Sequence, residues 1–261
     1  MEVVVLDTPD AVAHAGAQAF VETVQSTPDA VLGLATGSSP VGVYALLQRR
    51  CADGEVSFAA CSAFTLDEYV GLSPDHPQLY RAVIRRDFVD GIDMPASRLH
   101  SPDGAAADIP AACRAYEEAI AASGGVDVQI LGIGTDGHIA FNEPGSSLAS
   151  RTRIKTLTAQ TRRDNGRFFD GDVDAVPTHC LTQGVGTIMR ARHVVLVATG
   201  AAKAEAVSRF VEGPVTASCP ASALQWHPHM TVLLDADAAG RLERLEYYRE
   251  TYAAKPSWQG F

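Results

Sequence analysis

The sequence predicts an α/β fold with a mostly parallel sheet and helices on both of its faces. Short runs of β-branched and other apolar residues alternate with segments in which apolar residues recur at helical spacing. The strand-like runs are apolar along most of their length, which is typical of strands buried on both faces. With 261 residues, 46% of them hydrophobic, the chain is long enough to bury the core that this fold requires.

Six segments are predicted to be strands. They are residues 2–6 (EVVVL), 30–35 (AVLGLA), 58–66 (FAACSAFTL), 126–133 (VDVQILGI), 193–199 (HVVLVAT) and 230–234 (MTVLL). Parallel sheets bind ligands beyond the carboxyl ends of their strands, so the residues that follow each strand are the first candidates for a site.

Five segments are predicted to be helices. Thr8, Pro9 and Asp10 provide an N-cap, a first-turn proline and an acid that favours the helix dipole, ahead of the first helix. Ser39 and Pro40 repeat this arrangement ahead of the second. The helical patterns cover residues 11–25, 41–50, 76–88, 109–122 and 201–212.

A single domain is expected over residues 1–261, because no internal repeat, low-complexity tract or linker interrupts the chain. Residues 143–190 are a long and less regular excursion. We expect this segment to be a lid or an interface.

The composition limits which partners the protein can bind and where in the cell we expect it. The net charge of -10, without a basic tail, disfavours nucleic acid and anionic membranes as partners. Five widely spaced cysteines without a CxxC pair indicate reduced thiols. The start MEVVVLD lacks the positive charge of a signal peptide, and no apolar run approaches the roughly 18 residues of a membrane span. We therefore expect a cytoplasmic protein.

Residues 132–137 (GIGTDG) match the GxGxxG pattern of dinucleotide-binding loops. That interpretation requires a helix that begins at the third glycine and an acid about 20 residues later. Pro144 and Gly145 would end such a helix almost at once, and residues 151–158 are basic or neutral. The sequence therefore disfavours a dinucleotide, and no cofactor is expected.

The same stretch continues as DGHIAFNE and brings together Asp136, His138 and Glu143. Carboxylates orient an imidazole and raise its basicity, which suits general acid/base catalysis near neutral pH. A loop histidine without a catalytic role is the alternative. The glycines of GIGTDG favour the catalytic interpretation of His138, because they let the backbone approach a ligand closely. No second histidine stands at metal-ligand spacing, so a metal site is disfavoured.

Two further loops follow predicted strands. Asp67 and Glu68 come directly after one strand, where an acid is either a base beside the substrate or a helix cap or ion-pair partner. The other loop is a strand-to-helix turn that offers N–H groups, hydroxyls and a helix dipole to an anion, without a Walker A pattern. Its residues are Thr36, Gly37, Ser38 and Ser39.

Two cations are candidates for binding the same anion. Lys203 is predicted in the first turn of a helix, where the dipole disfavours a lysine unless an anion is bound. Arg167, in TRRDNGRFF, is the second candidate, although arginines on polar helices are often only solvated. Charge-assisted hydrogen bonds contribute roughly 1.5 to 3 kcal/mol each, so two cations with loop donors suffice to bind a sugar phosphate.

Five motifs resemble those of the glucosamine-6-phosphate deaminase family. They are LATGSSPVGVY (34–44), FTLDEYVGL (64–72), GIGTDGHIAFNEPGSSLASRTRIKTLT (132–158), TRRDNGRFF (161–169) and SALQWHPHMTVLLD (222–235). The resemblance runs in order through nearly the whole chain and fades after about Tyr248, so we expect regulatory differences in residues 253–261. Ser38 and Ser39 stand where loops of the family often have a Gly-Thr pair.

The resemblance implies a Rossmann-like α/β fold and the conversion of glucosamine 6-phosphate and water into fructose 6-phosphate and ammonia. It implies that His138 opens the pyranose ring while Asp136 and Glu143 hold and tune it. Asp67 would take a proton from C2 and return it at C1. The phosphate would be bound by residues 36–39 with Arg167 and Lys203.

The resemblance also implies regulation. In hexameric bacterial members, the positions that match Ser146, Arg153, Lys155 and Thr156 bind N-acetylglucosamine 6-phosphate at a subunit interface and activate the enzyme. We therefore expect a homo-oligomer, with a hexamer favoured, that responds to this sugar phosphate. The alternative is that these basic residues are only charged side chains of a strand that faces the solvent.

Two other functions are compatible with parts of the pattern. A 6-phosphogluconolactonase shares the fold and the phosphate loop, but it has no need of a carbon base at Asp67. A non-catalytic sugar-phosphate sensor would need a basic DNA-binding module, for which a chain of net charge -10 offers no obvious segment.

Overall fold

The computed structural model describes residues 1–256 and 258–260. Ser257 and Phe261, in the tail for which we expect regulatory differences, lie outside the described residues. No helix of the described ranges is long and apolar enough to cross a membrane.

Two sheets account for the strands of the described residues. The strands are β1 Glu2–Leu6, β2 Val31–Leu34, β3 Ser62–Thr65, β4 Asp67–Tyr69, β5 Leu99–His100, β6 Val128–Leu131, β7 Arg153–Thr156, β8 His179–Thr182, β9 His193–Ala198 and β10 Met230–Asp235. The larger sheet has the order β1-β10-β9-β6-β2-β3-β5, and all of its neighbouring strands are parallel. The predicted α/β fold is confirmed, and each of the six predicted strands is present in this sheet.

The helices connect the strands in the expected alternation. They are α1 Pro9–Ser26, α2 Val41–Ala52, α3 Tyr80–Asp87, α4 Ile109–Ala122, α5 Ala159–Asn165, α6 Val185–Ile188, α7 Ala204–Val211 and α8 Leu245–Ala253. The chain advances across the sheet from β1 to β5 and then returns through β6, β9 and β10. The rule that crossovers are right-handed predicts α1, α2 and α3 on one face and α4 and α7 on the other.

The two predicted helix starts differ in outcome. The Thr8 hydroxyl accepts a hydrogen bond from the Ala11 N–H at 3.1 Å, so the predicted N-cap of α1 is present. The predicted cap at Ser39 is wrong, because Pro40 is the N-cap of α2 and no side chain caps this helix. Pro40 already has helical φ and ψ of -84° and -10°, and its carbonyl accepts from the Tyr44 N–H.

A small antiparallel sheet was not predicted. It has the order β4-β8-β7, and two of its strands lie in the excursion 143–190. Only Leu66 separates β3 from β4, so the chain passes directly from the large sheet into the small one. The Leu66 N–H donates to the Leu34 carbonyl of the large sheet, and its own carbonyl accepts from the Gln183 N–H. The turn at Leu66 thus fixes the position of Asp67.

Candidate active site

A cavity of about 640 Å³ lies at the carboxyl ends of β2, β3, β6 and β9. The strand order reverses between β2 and β6, and ligands of open α/β sheets bind at such a reversal. Eight of the predicted site residues line this cavity: Thr36, Gly37, Ser38, Ser39, Asp67, His138, Arg167 and Lys203.

The loop from Thr36 to Ser39 connects β2 to α2 and has the form of an anion site. The Tyr44 hydroxyl donates to the Ala35 carbonyl at 2.8 Å and accepts from its N–H at 3.0 Å, which fixes the start of the loop. Gly37 has φ of +100°, a conformation that other residues adopt only with strain. The free N–H groups at the start of α2 face this loop, and a helix N-terminus favours an anion.

Two cations line the cavity beside this loop. The Lys203 ammonium donates to the Ile133 carbonyl at 2.7 Å, and burial lowers the pKa of this lysine. Lys203 ends a short 3-10 turn and is the N-cap of α7, close to its predicted position in the first helical turn. The Arg167 guanidinium lies 4.6 Å from the centre of the Phe168 ring. Both cations are thus available to an anionic ligand in the cavity.

Asp67 and Glu68 point to opposite faces of β4 and have different environments. Asp67 is buried, and burial together with the charge of Glu68 raises its pKa well above the ordinary value. The Glu68 carboxylate accepts from the N–H groups of Tyr80 and Arg81 at 2.8 and 3.0 Å, at the start of α3. The sequence left open whether an acid here is a base beside the substrate or a helix cap. In the structure Glu68 is the helix cap, and Asp67 faces the cavity.

The loop after β6 is built around the imidazole of His138. No helix follows Gly137 within residues 138–158, in agreement with the rejection of a dinucleotide loop. A Cβ on Gly134 would lie 2.2 Å from two atoms of the His138 ring, so only glycine lets the ring lie against the backbone there. A Cβ on Gly137 would lie 2.5 Å from the Cys219 sulfur, and Gly137 has φ of +89°.

Asp136 contacts the imidazole directly. Its Oδ1 lies 2.7 Å from Nδ1 of His138 and accepts from the His138 N–H at 3.1 Å. The Nδ1–Oδ1 contact is short but poorly aligned, since Nδ1 has no hydrogen bond of good geometry to a described residue. The interaction with His138 lowers the pKa of Asp136 to about 2.

Glu143 has a different partner from the one that the resemblance implies. Its Oε1 accepts from the Thr161 hydroxyl at 2.6 Å and lies 3.4 Å from the Thr158 hydroxyl, both in the segment of α5. Thr161 itself lines the cavity. Glu143 therefore links the loop after β6 to the segment that bears Arg167.

The predicted effector residues lie outside the cavity. Arg153, Lys155 and Thr156 are on β7, the outer strand of the small sheet, and Ser146 is in the loop before it. Burial lowers the pKa of Arg153. The Ser146 hydroxyl is buried and has no hydrogen-bond partner among the described residues. The structure therefore separates this set from the residues that line the cavity.

The chain is similar to known proteins over its full length. The model of the family of glucosamine-6-phosphate isomerases and 6-phosphogluconolactonase matches residues 7–233. The glucosamine-6-phosphate deaminases of Mycolicibacterium smegmatis and Beutenbergia cavernae are 62% and 63% identical over 260 and 261 residues, which is 100% of this chain and of each relative. The chain belongs to the glucosamine-6-phosphate deaminase family. The resemblance seen in the motifs is thereby confirmed.

Solved structures give the same fold. A monomeric glucosamine-6-phosphate deaminase superposes with a TM-score of 0.89 at 42% identity, over 92% of this chain and 100% of that one. The 6-phosphogluconolactonase of Trypanosoma brucei superposes with a TM-score of 0.75 at 23% identity, over 92% and 98% of the two chains. At that identity the second likeness shows the fold alone.

Sequence reasoning missed several residues of this deaminase-family cavity. Tyr69, Tyr80, Phe141, Asn165 and Phe169 also line it, and four of them form an aromatic cluster. A signal for Tyr69 was present, because it stands two residues after Asp67, the spacing that puts side chains on one face of a strand. Asn165 gave no such signal, because α5 approaches β4 only through tertiary packing.

Proposed function

We propose that the protein converts glucosamine 6-phosphate and water into fructose 6-phosphate and ammonia. The observation that carries this proposal is that one cavity is lined by an imidazole, a buried carboxylate and an anion-binding loop with two cations. Relatives that match the full chain at 62% and 63% identity bear the name of this enzyme.

Binding begins with the phosphate group of the substrate. The loop 36–39 donates hydrogen bonds at the start of α2, and Lys203 and Arg167 supply positive charge. The partial burial of Lys203 strengthens this attraction, because water screens the charges less. The anchored phosphate leaves the C1–C2 end of the sugar to reach His138 and Asp67.

Ring opening is the first chemical step. His138 takes the proton of the C1 hydroxyl and delivers a proton to the ring oxygen, so the hemiacetal opens to the free aldehyde. Asp136 remains ionised, because its pKa is lowered to about 2, and it stabilises the imidazole while that ring is protonated. Glu143 helps to hold and tune the imidazole from the side of α5, where its carboxylate accepts a hydrogen bond from the Thr161 hydroxyl.

Isomerisation and loss of ammonia follow. Asp67 takes the proton from C2 while a proton of the substrate ammonium group passes to the C1 oxygen, which gives an enolamine. Asp67 then returns its proton to C1, which gives the protonated imine of the ketose. Water adds to this imine at C2, and ammonia leaves as fructose 6-phosphate forms. Burial raises the pKa of Asp67, which makes its carboxylate a stronger base toward a carbon-bound proton.

The proposal is tested with the purified protein and glucosamine 6-phosphate. We expect ammonia and fructose 6-phosphate to appear in equal amounts. The lactonase alternative predicts neither product and instead rapid hydrolysis of 6-phosphogluconolactone. A sensor would bind the sugar phosphate without turnover. Absence of ammonia would therefore overturn the proposal.

We also propose that N-acetylglucosamine 6-phosphate activates the enzyme at Ser146, Arg153, Lys155 and Thr156. The support is that Arg153 and Lys155 share one face of β7, with no acidic partner in an ion pair among the described residues. A phosphate would supply the missing counter-charge, and the buried Ser146 hydroxyl would gain a partner.

Assembly and location complete the proposal. We propose a homo-oligomer, with a hexamer favoured, in the cytoplasm, although one relative with the same fold is described as a monomeric deaminase. Sedimentation with and without N-acetylglucosamine 6-phosphate tests the subunit number. A single species at the mass of one chain under both conditions would contradict the oligomer.

A further inference from the structure

Tyr69 lies on the same face of β4 as Asp67. Side chains alternate along a strand, so residues 67 and 69 face the cavity while Glu68 points the other way and caps α3. Both Asp67 and Tyr69 line the cavity. The phenol therefore stands beside the carboxylate that we propose as the carbon base.

The hydrogen bonds of Tyr69 determine where its own hydrogen can go. Its hydroxyl oxygen accepts from the Asn165 side-chain amide at 2.9 Å and from the Tyr80 hydroxyl at 3.1 Å. A phenol has one hydrogen to donate, and two donors already occupy the acceptor side of this oxygen. The O–H of Tyr69 is thus left without an acceptor among the described residues, and the cavity is the space beside it.

Packing holds the ring in this orientation. Tyr80 lies 4.7 Å from the Tyr69 ring, Phe169 lies 5.8 Å away edge-on, and Phe141 lies 6.4 Å away. Only 1% of Tyr69 is exposed. Burial raises the pKa of Tyr69 to about 12, so the hydroxyl stays protonated and remains a donor through the working range of pH. A fixed donor of this kind needs no reorganisation when charge develops beside it.

We propose that the Tyr69 hydroxyl donates a hydrogen bond to the reacting C1–C2 end of the open-chain substrate while Asp67 moves the proton. The inference rests on the proposed deaminase function. Removal of the C2 proton pushes electrons toward the C1 oxygen, and a donor at that oxygen stabilises the charge. Asn165 belongs to α5, so the donor is fully oriented only when this helix lies over the cavity.

The first test deletes one hydroxyl at a time. We expect Tyr69→Phe to lower kcat by about 10²-fold with a smaller change in KM, as for loss of a donor at a developing charge. Tyr80→Phe is the matched control, because it removes one hydroxyl from the adjacent ring, and it should lower kcat by about 5-fold or less. Equal losses in the two variants would overturn the inference.

A second readout separates chemistry from structure. With glucosamine 6-phosphate deuterated at C2, the isotope effect on kcat should rise in Tyr69→Phe, because proton removal becomes the slower step. A structural role alone would lower the rate without raising the isotope effect, and that result would contradict the proposal. Thermal unfolding of both variants checks that the fold is retained.

A second pair of variants tests the direction of the hydrogen bonds without changing Tyr69. An ionised carboxylate only accepts, so Asn165→Asp should capture the Tyr69 hydrogen and lower kcat nearly as much as Tyr69→Phe. Asn165→Leu removes the amide but leaves that hydrogen free, so its kcat should fall less. The reverse ranking would overturn the inference. Wild-type protein that releases no ammonia would instead overturn the proposed function.

Discussion

Asp67 is subject to opposite requirements from stability and from chemistry. Burial and the charge of Glu68 raise its pKa, so the folded protein favours the protonated form. Its contribution to stability is therefore full below the unfolded pKa and is lost as the pH rises through the folded pKa. At neutral pH the ionised side chain destabilises the fold, and the catalysis that we propose requires that ionised form.

Asp67→Asn should remove this conflict. We expect kcat to fall by about 10² to 10⁴, as for loss of a general base, while the midpoint of thermal unfolding at pH 7 rises. Steady-state kinetics and calorimetry on the same preparation measure both effects. Asp237→Asn, in the exposed turn after β10 and outside the cavity, is the control for the loss of one negative charge. A variant with near-wild-type kcat would exclude Asp67 as the base.

Individual site residues could be predicted when their position depends on a strand end. Asp67 and His138 follow buried strands, and the rule that ligands bind beyond carboxyl ends identifies both. The contact of Glu143 with Thr161 could not be predicted, because it depends on how α5 packs over the cavity. The same is true of the contact between Asn165 and Tyr69.

At the scale of elements, α5 is held over the cavity by a small number of polar contacts. Thr161 bonds to Glu143, and Asn165 bonds to Tyr69. The α5 helix has no buried residue of its own, whereas the strands of the large sheet are mostly buried. Elements with few buried apolar contacts open most readily, so we expect α5 to move first.

Thr161→Val should loosen this helix. The substitution keeps the shape of the side chain and removes the hydroxyl that Glu143 accepts from. A hydrogen bond to a charged group contributes about 1.5 to 3 kcal/mol, so we expect KM for the sugar phosphate to rise at least about 3-fold. Faster hydrogen exchange of the α5 amides should accompany it. Thr161→Ser keeps the hydroxyl, and identical behaviour of the two variants would contradict the role of this bond.

The small sheet connects the predicted effector strand with the strand that bears Asp67. Arg153 pairs with Thr182 across β7 and β8, and Thr182 pairs with Asp67 across β8 and β4. Sequence analysis missed this sheet because β4 has three residues and β7 alternates between half-buried and exposed positions. Short strands without a continuous apolar run resemble loops in a sequence.

Arg153→Ala should abolish activation by N-acetylglucosamine 6-phosphate and leave the maximal rate largely intact. The reason is that Arg153 would bind the effector phosphate and lies outside the cavity. Arg151→Ala is the contrasting variant, since Arg151 pairs with Glu117 and should affect stability rather than activation. Velocity curves at a range of effector concentrations make the comparison. An unchanged response in Arg153→Ala would remove the effector proposal.

At the scale of the molecule, the large sheet supplies the frame and the small sheet the regulation that we propose. We propose that residues 1–261 act as one domain, because β3 continues into β4 and the Gln183 amide donates to the Thr65 carbonyl between the sheets. The large sheet was predictable from six buried strands. The way in which residues 143–190 fold back onto it depends on tertiary contacts that no local pattern encodes.

We expect histidines at the amino ends of β9 and β10 to make the fold sensitive to acid. The His193 ring stacks 3.7 Å from the His229 ring and contacts the Thr231 hydroxyl at 2.9 Å. Burial, with the neighbouring His229 and His227, lowers the pKa of His193 to about 3. The folded pKa is below the unfolded value, so stability is full above about pH 6.5 and falls as the pH drops toward 3.

His193→Gln should reduce this dependence. One histidine with these pKa values makes the free energy of unfolding about 2 kcal/mol lower at pH 5 than at pH 7, and the variant should lose that difference. Urea unfolding at the two pH values measures it. His14→Gln, on the exposed surface of α1, is the matched control. A variant that retains the full wild-type difference would show that other groups cause the acid sensitivity.

Arg153, Thr182 and Asp67 are paired across the three strands of the small sheet. This pairing limits how effector binding at the site that we propose could change the position of Asp67. Side chains alternate along each strand, so sliding β7 by one residue would turn Arg153 and Lys155 to the opposite face. A translation by one residue along the strand axis would thus destroy the effector site that we propose. A change of twist or tilt would instead keep the register of all three strands. Such a rotation would reorient the carboxylate of Asp67 without breaking a hydrogen bond between the strands.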